Sequence, residues 1–298
     1  MTINLDDIFG GAPASAIPAA PAVECPAPGV YRNIPAHIYH SWPAISSTLL
    51  KGYAALPSTA RTPYIPGDDA NVGSGIHAFT LQGEKGLADE CFILPLSCEG
   101  KSKGALSERE AFATAYPGKA LLPPIYGPEK IHISKVLTGV DNSFRAHPKT
   151  GPILENSEKE LSLVWIDEAS GCTCKARLDV WDGRIIWDVK KCRSIDGFHW
   201  QIKDLHYLVQ GGHYFNGAVA CGLNPVAFGF LPCEAFPPYR VACGYIDPDK
   251  LLEACQDAVR LIGLVKQSTI TGNWPNFPIP GHIYDLDAIQ PDDLVTVW

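Results

Sequence analysis

Charged residues, among them two aspartates and a lysine, lie within two segments that otherwise have the composition of buried β-strands. Asp179 lies near the end of the segment CTCKARLDVW, and Asp188 and Lys190 lie within RIIWDVKK. A charged group in such a position costs ~1 to 3 kcal/mol even by mild mutational measures unless another group pairs with it. We therefore expect these three side chains to face a common partner.

The dipeptide Asp182-Gly183 between the two segments predicts a β-hairpin in which these two residues form the centre of the turn. In that register Asp179 pairs with Ile186, and Asp179, Asp188 and Lys190 emerge on one face of the sheet because side chains alternate. The two aspartates are then diagonal neighbours, within ~7 to 8 Å at the backbone. Both carboxylates are therefore predicted to reach one cation.

Two carboxylates that converge on one point repel each other, and a divalent cation relieves that repulsion. A site of oxygen ligands favours Mg²⁺, or Mn²⁺ in its place, over zinc. Lys190 would point at the same place, where an ammonium group can hold a water molecule and offset negative charge on a phosphate. These are the parts of metal-assisted phosphodiester hydrolysis. From the spacing alone, an ion-pair ladder of these residues with Arg177 on an exposed sheet face is an equally good interpretation.

The composition of the 298 residues, 46% hydrophobic and 19% charged, is typical of a globular protein with a substantial core. The net charge of -8 argues against binding of nucleic acid over the whole surface, but it is compatible with a local basic groove. The ten cysteines include no CxxC pair, which favours reduced, packed thiols over a zinc site. The segment MTINLDDIFGG has no signal-peptide core and no stretch is long enough to span a membrane, so we expect a cytoplasmic protein.

Residues 1–29 are rich in Ala and Pro and are predicted to form a flexible tail before a single domain over residues 30–298. Helices are predicted from Ser46 or Ser47, from Asp68 or Asp69 to near Gly83, and over residues 107–115 and 131–146. The predicted strands LSLVWID, CTCKARLDVW and RIIWDVKK are followed by a helix (DLHYLVQGGHYFNGAVAC), two strands (PVAFGFLPCEA and YRVACGYID) and a helix that begins near residue 247. This order predicts an α/β or α+β fold.

The pattern D-x₈-D-V-K resembles the signature of the PD-(D/E)xK nuclease superfamily, which has an acidic residue on one strand and (D/E)xK on the next. Further segments resemble one family within it, that of the exonuclease VIII (RecE) C-terminal nuclease domain and its phage relatives. These segments are GVYRNIPAHIYHSWPAISSTLLK, GSGIHAFTL, ELSLVW, HYLVQGGHYFNGA and GNWPNF. Together they extend over residues 29–277.

The resemblance implies a PD-(D/E)xK restriction-endonuclease-like core, which is a central mixed β-sheet flanked by helices. It also implies Mg²⁺-dependent exonuclease activity that degrades linear double-stranded DNA from the 5′ end and leaves a 3′ single strand for recombination. The implied partners are double-stranded DNA ends, a single-strand annealing protein and further copies of the chain, since the family often forms homo-oligomeric rings.

The resemblance also assigns roles to particular residues. Asp179 and Asp188 match metal ligands, the Val189 carbonyl matches a third ligand, and Lys190 matches the catalytic lysine. His77 matches a histidine that RecB-like members of the superfamily add to the metal site. A lone histidine within a helix is otherwise more often a packed or surface residue.

Tyr207 and Gln210 match a QxxxY-type helix that follows the core, here in the order Tyr-x-x-Gln-x-x-x-Tyr that Tyr214 completes. Gln210 is the stronger candidate for a role in catalysis, because an amide on an apolar helix face needs a partner. Tyr207 is a candidate for DNA contact, and Tyr214 could be a core residue alone. The adjoining Gly211-Gly212 weakens a helix by ~1 kcal/mol per glycine, which would either let the backbone approach DNA or kink the helix.

Further candidates rest on residue type more than on pattern. Glu160 is a candidate metal ligand, although a glutamate on a strand is usually solvated. The candidates for phosphate contact are Lys191, Arg193 and Lys203, together with Lys101 and Lys103. Two other functions are compatible with the sequence: a structure- or site-specific endonuclease on the same core, and a catalytically silent DNA-binding or assembly subunit.

Overall fold

The computed structural model of the chain describes residues 24–278 and the backbone of residues 294–296. The predicted tail over residues 1–29 lies mostly outside the described residues. At its end, Cys25 packs beside a small cluster of Tyr39, Trp42 and Val164. None of the helices in the described part of the chain is long and apolar enough to cross a membrane.

A mixed β-sheet of seven strands, counted over the described residues, forms the centre of the fold. In spatial order its strands are β1 (Gly29–Tyr31), β6 (Glu158–Ile166), β7 (Thr173–Trp181), β8 (Ile185–Cys192), β9 (Ala227–Glu234), β10 (Gly244–Ile246) and β11 (Leu294–Thr296). Strands β8 and β9 run parallel, and every other neighbouring pair is antiparallel.

The helices of the described residues pack around this sheet. They are α1 (Ala36–Ser41), α2 (Ser47–Ala55), α3 (Asp68–Glu90), α4 (Lys103–Ala115), α5 (Ile133–Ala146), α6 (Thr150–Glu155), α7 (Phe198–Asp204), α8 (Tyr207–Ala220) and α9 (Pro248–Thr271). Two further ladders have two strands each: β2 (Cys91–Ile93) runs parallel to β3 (Ala120–Leu122), and β4 (Ile125–Tyr126) is antiparallel to β5 (Ile131–His132).

Two apolar cores lie on opposite faces of the sheet, because successive residues of a strand point to opposite sides. Ile186 of β8 belongs to the core that contains Leu208 of α8 and Leu261 of α9. The next residue, Trp187, belongs to the core that contains Ile76 of α3 and Val136 of α5. A central mixed sheet flanked by helices confirms the predicted fold class.

Local capping marks the start of several helices. The Ser46 hydroxyl accepts a hydrogen bond of 3.4 Å from a backbone N–H in the first turn of α2, and the Asp247 carboxylate caps α9 in the same way. Helix α3 begins at Asp68 as predicted, and the predicted stop near Gly83 is a break after which a second helical segment continues to Glu90. The chain takes a φ of 65° at this glycine and then returns to helix. The short helix α7 was not among the predicted elements.

The paired glycines of α8 serve packing. A Cβ atom on Gly212 would lie 2.1 Å from the Ala254 carbonyl oxygen of α9, and one on Gly211 would lie 3.0 Å from the Phe228 ring of β9. Both glycines are buried within a continuous helix. The predicted alternatives of close approach to DNA and a kink are therefore wrong, and the glycines instead let α8 lie directly against its neighbours.

Candidate active site

The predicted hairpin of β7 and β8 forms, but its register differs from the prediction. Val180 pairs with Trp187, so the central residues of the turn are Gly183-Arg184 and not Asp182-Gly183. The Asp182 carboxylate instead accepts hydrogen bonds of 2.8 and 2.6 Å from the N–H groups of Arg184 and Ile185. These side-chain contacts move the turn one residue along the chain.

Strands β7 and β8 separate just beyond the Val180–Trp187 pair, and Asp179 lies at the point of separation. The register would next place Asp179 opposite Asp188, but the ladder ends at Val180. The Asp179 carboxylate accepts a hydrogen bond of 2.8 Å from the Val189 N–H in place of a backbone partner. Alternation is also interrupted here, since Leu178 and Val180 pack in cores on opposite faces. The prediction that Asp179 and Asp188 share a face through regular alternation is therefore wrong, and Asp179 reaches the site from the gap between the strands.

Asp188 is held by a chain of polar side chains. Gln210 of α8 donates from Nε2 to Asp188 Oδ1 at 2.7 Å, and Lys51 of α2 donates from Nζ to Gln210 Oε1 at 3.0 Å. Because an ammonium group can only donate, Lys51 fixes the Gln210 amide with its NH₂ group toward Asp188. The other Asp188 oxygen, Oδ2, pairs with Lys190 Nζ.

A tyrosine ring lies beside both of these ammonium groups. The centroid of the Tyr207 ring is 5.0 Å from Lys190 Nζ and 5.2 Å from Lys51 Nζ, within the range of cation–π attraction. The ring itself is buried against Phe198 and Phe230. Tyr207 therefore helps to position Lys190, and its contact with DNA stays a prediction. Tyr214, one turn beyond Gln210, belongs to the apolar core and also borders the cleft described below.

On the α3 side of the sheet, His77 meets two acidic side chains. Its Nε2 atom is 3.0 Å from Asp179 Oδ1 and 3.4 Å from Glu160 Oε1. Glu160 also pairs with Arg177, whose Nη2 atom lies 3.7 Å from Glu90. In strand β6 Glu160 takes a positive φ of 57°, which costs a residue other than glycine about 1 to 3 kcal/mol. The strained backbone thus occurs where the two carboxylates meet the histidine.

These acidic groups are buried, so the alternative of an exposed ion-pair ladder is wrong. Asp179 exposes 7% of its surface and Asp188 exposes 1%. Burial, and next the negative charge of Asp179, raise the pKa of Asp188 to about 6, although Lys190 opposes the shift. Burial also acts to raise the pKa of Asp179, but the charge and hydrogen bond of His77, the charge of Lys190 and the Val189 N–H together outweigh it, and the net shift is downward. Protein cations therefore stabilise Asp179 more fully than Asp188.

The charge of His77 follows from the same contacts. Burial alone would lower the pKa of His77, but the charges of Asp179 and Glu160 outweigh burial and raise it to about 10. At neutral pH the imidazole is therefore a cation that serves as the counter-ion of the acidic cluster. Its role as a metal ligand stays a prediction.

A cleft of about 1470 Å³ opens onto this cluster. The predicted site residues that line it are His77, Glu160, Asp179, Val189, Lys190, Lys191, Arg193 and Tyr207. Asp188 and Gln210 lie just beneath its wall, in contact with each other. The structure thus brings the predicted metal and catalytic residues together.

The predicted phosphate-binding residues are only partly brought to the cleft. Lys191 lines it, and its Nζ atom lies 2.7 Å from Asp69 Oδ1 and 3.3 Å from the Tyr126 hydroxyl. Arg193 also lines the cleft. Lys203 is not a lining residue and lies over the Trp200 ring, and Lys101 and Lys103 lie elsewhere. Lys191 and Arg193 are therefore the better placed of the set.

The donor chemistry of the two aspartates fits a hard divalent cation. Within the described residues no group of three or more His, Cys, Asp or Glu side chains is arranged to hold a metal ion. Mg²⁺, however, is usually held by one or two carboxylates, and water and phosphate oxygens complete its shell. Asp179 and Asp188, which are buried and repel each other, supply such a pair. Ligation by Glu160 and by the Val189 carbonyl stays a prediction.

Two lysines of the site were missed by the sequence reasoning. Lys51 follows the apolar residues Leu49 and Leu50 in α2, and the argument that a polar group on a buried helix face needs a partner applies to it as it does to Gln210. Lys175 of β7 lines the cleft, and its Nζ atom donates to the carbonyls at the end of α1, including that of Trp42 at 2.7 Å. No local sequence pattern indicates the contact between Lys175 and Trp42, because the two residues are 133 positions apart.

No protein-family model matches the sequence, and no curated protein matches it either. The fold is similar to the crystal structure of a proposed exonuclease from Eubacterium rectale, with a TM-score of 0.54 and 13% sequence identity. The match covers 82% of this chain and 93% of that chain. At this identity it establishes a likeness of fold.

Proposed function

We propose that the protein is a Mg²⁺-dependent exonuclease that degrades linear double-stranded DNA in the 5′-to-3′ direction and leaves 3′ single strands for recombination. The observation that carries this proposal is the buried pair Asp179 and Asp188 at the parting of two strands, with Lys190 paired to Asp188 beside a large cleft. The likeness of fold to a proposed exonuclease supports the same class of activity.

The residues of the site would have different roles in phosphodiester hydrolysis. Asp179 and Asp188 would hold Mg²⁺, which supplies a Lewis acid for the phosphate when it is bound. Burial alone would lower the pKa of Lys190, but the charges of the two aspartates raise it on balance, so this side chain is a hydrogen-bond donor and not a base. Held by Asp188 and by the Tyr207 ring, its Nζ atom is placed to stabilise charge that develops on a phosphate oxygen. Gln210 restrains Asp188 from the opposite side.

The proposed partners follow from this activity. Double-stranded DNA ends are the substrate, and the 3′ single strand would pass to a single-strand annealing protein. A homo-oligomer is also proposed, on the resemblance alone. Because the net charge of the chain is -8, DNA must meet local positive charge such as that of Lys191 and Arg193, and its binding should weaken as salt rises.

The proposal is tested by incubating the protein with Mg²⁺ and the same duplex in linear, nicked and covalently closed form. With opposite ends and strands labelled, we expect the linear form to be consumed from its 5′ ends while the closed circle resists. Rapid cutting of the closed circle into defined fragments would assign the protein to the endonucleases. No cutting of any form with Mg²⁺ or Mn²⁺ would leave a silent DNA-binding subunit.

A further inference from the structure

A large aromatic side chain on the wall of the cleft takes no part in the contacts that hold the acidic cluster. Trp200 exposes 57% of its surface and lines the same cleft as Lys190 and Lys191. Leu205, which exposes 47%, also lines it. More than half of the Trp200 surface stays in water, and that part contributes nothing to the stability of the fold.

Helix α7 holds this tryptophan in a fixed place. Phe198 and Ile202 are buried in the core and lie four residues apart, so Trp200 midway between them faces away from the core. The neighbouring residue, Gln201, donates from Nε2 to the Lys191 carbonyl at 2.9 Å. The helix that presents Trp200 is therefore fastened to β8, the strand that carries Asp188.

Positive charge accompanies the ring. Lys203 Nζ lies 5.7 Å from the centroid of the Trp200 ring, and Arg193 lines the same cleft as Trp200. Aromatic rings beside basic residues form the sites in which proteins bind single-stranded nucleic acid, because the rings stack on bases and the cations meet phosphates. The combination fits an unpaired nucleotide better than it fits a fully paired duplex, whose bases already stack on one another.

The geometry points to Trp200 as a stacking platform for an unpaired nucleobase of the DNA strand that enters the cleft. This inference rests on the proposed function, since DNA is the ligand, and it adds that the cleft takes a frayed or single-stranded end. Every base has a π face, so the contact has little sequence preference.

The test is a binding experiment without divalent metal, so that no DNA is cut. The probes are duplexes with a short single-stranded end, each carrying the fluorescent base 2-aminopurine at one terminal position. We expect the protein to quench the probe at one or two positions. Trp200→Ala should abolish the quenching and weaken binding about 5- to 150-fold, the range that corresponds to the loss of one base–aromatic stack. Trp200→Phe should retain most of both.

Two controls separate stacking from other effects. Phe277, which exposes 61% of its surface and does not line the cleft, is the matched position, and Phe277→Ala should bind and quench as the unchanged protein does. Trp200→Ala should also leave the slope of affinity against salt concentration unchanged, because no phosphate contact is removed. A change in that slope without a change in quenching would overturn the inference.

Further outcomes keep the inference distinct from the proposed function. If the unchanged protein digests linear DNA with Mg²⁺ but Trp200→Ala quenches and binds equally well, the stacking site is refuted and the nuclease stands. If Trp200→Ala alters only the oligomeric state in light scattering, the ring is a contact between proteins and the inference is again refuted. Quenching that depends on Trp200 in a protein that cuts no DNA would support the stacking site and refute the nuclease.

Discussion

Replacing Lys51 by methionine tests whether the chain of polar contacts at Asp188 acts as a unit. Methionine keeps most of the length and apolar stem of lysine but removes the ammonium that donates to Gln210 Oε1 at 3.0 Å. Hydrogen bonds that involve a charged group contribute ~1.5 to 3 kcal/mol. If this contact serves the transition state, Lys51→Met should lower kcat by about 10- to 150-fold. The affinity for DNA should change little, because the Lys51 ammonium donates its hydrogen bond to Gln210 within the protein.

The assay is a double-mutant cycle in kcat with Gln210→Leu. Since Lys51 acts on Asp188 largely through Gln210, we expect Lys51→Met to lose much of its effect once the amide is absent, so that the two changes are strongly non-additive. Lys191→Met is the matched control. Lys191 lines the cleft and its ammonium pairs with Asp69, so Lys191→Met should combine additively with Gln210→Leu. Circular dichroism and urea unfolding establish that each variant is folded.

Two results would refute this reasoning. Full additivity of Lys51→Met and Gln210→Leu would show that the lysine acts independently of the amide. A loss confined to KM, with kcat unchanged, would show that Lys51 binds a DNA phosphate directly. Lys51→Arg retains the charge and the hydrogen-bond donor, so we expect it to keep part of the kcat that Lys51→Met loses.

Three further predictions concern the metal, the packing and the pH dependence. Asp179→Asn and Asp188→Asn should each remove nearly all nuclease activity and weaken Mg²⁺ binding in calorimetry while the fold is retained. The effects of the two substitutions should be non-additive because both residues serve one ion. Unchanged metal affinity would contradict this prediction. Gly212→Ala should destabilise the protein by at least ~1 to 3 kcal/mol in urea unfolding because its Cβ would meet backbone 2.1 Å away, whereas Gly263→Ala, which meets nothing within 4 Å in α9, should be stabilising by ~1 kcal/mol. Burial lowers the pKa of His213 to about 4 from an ordinary value of 6.5. As the pH falls, the unfolded chain therefore binds a proton before the folded protein does, and the free energy of unfolding should fall by ~3 kcal/mol between pH 6.5 and pH 4. His213→Gln should remove that part of the pH dependence in urea unfolding.

The fold class could be predicted because its signals are local. The β-branched and aromatic residues of β6, β7 and β8, the Asp and Gly residues between these strands, and the caps at Ser46 and Asp247 are all signals that depend on a few neighbouring residues. The helix break at Gly83 was also recognised, but not that the helix resumes afterwards. Propensity alone does not decide whether a chain that leaves a helix returns to it, since packing against the sheet settles that question.

The turn register could not be read from the Asp-Gly dipeptide, because two rules compete there. The dipeptide favours Asp182 and Gly183 as central residues, whereas an aspartate side chain can also cap the turn from the position before it. The second arrangement prevails, and Asp182 gains a further hydrogen bond of 2.8 Å from the Trp187 indole. Asp188 and Lys190 share a face whatever the register, because they lie two residues apart on one strand. Asp179 does not join them by alternation and reaches the site from the gap between β7 and β8.

The features that the sequence did not reveal join distant parts of the chain. Lys51 and Gln210 are 159 residues apart, and the positive φ of Glu160 has no counterpart in its local sequence, which is an ordinary strand pattern. Such a conformation persists only when its surroundings determine it, here through His77 and Arg177. These contacts exist only once α2, α3 and α8 have packed on the sheet.

The burial of so many charges at one point argues that the acidic pair has a ligand outside the protein. A carboxylate that only stabilised the fold would be matched by its cations, as Asp179 is by His77, and its pKa would be lowered. Asp188 has an ammonium and an amide in contact, yet its pKa is raised to about 6 because burial and the charge of Asp179 prevail. A fold selected for stability alone would gain from an apolar residue at this position. In the function we propose, a bound divalent cation would complete the neutralisation of this only partly compensated charge.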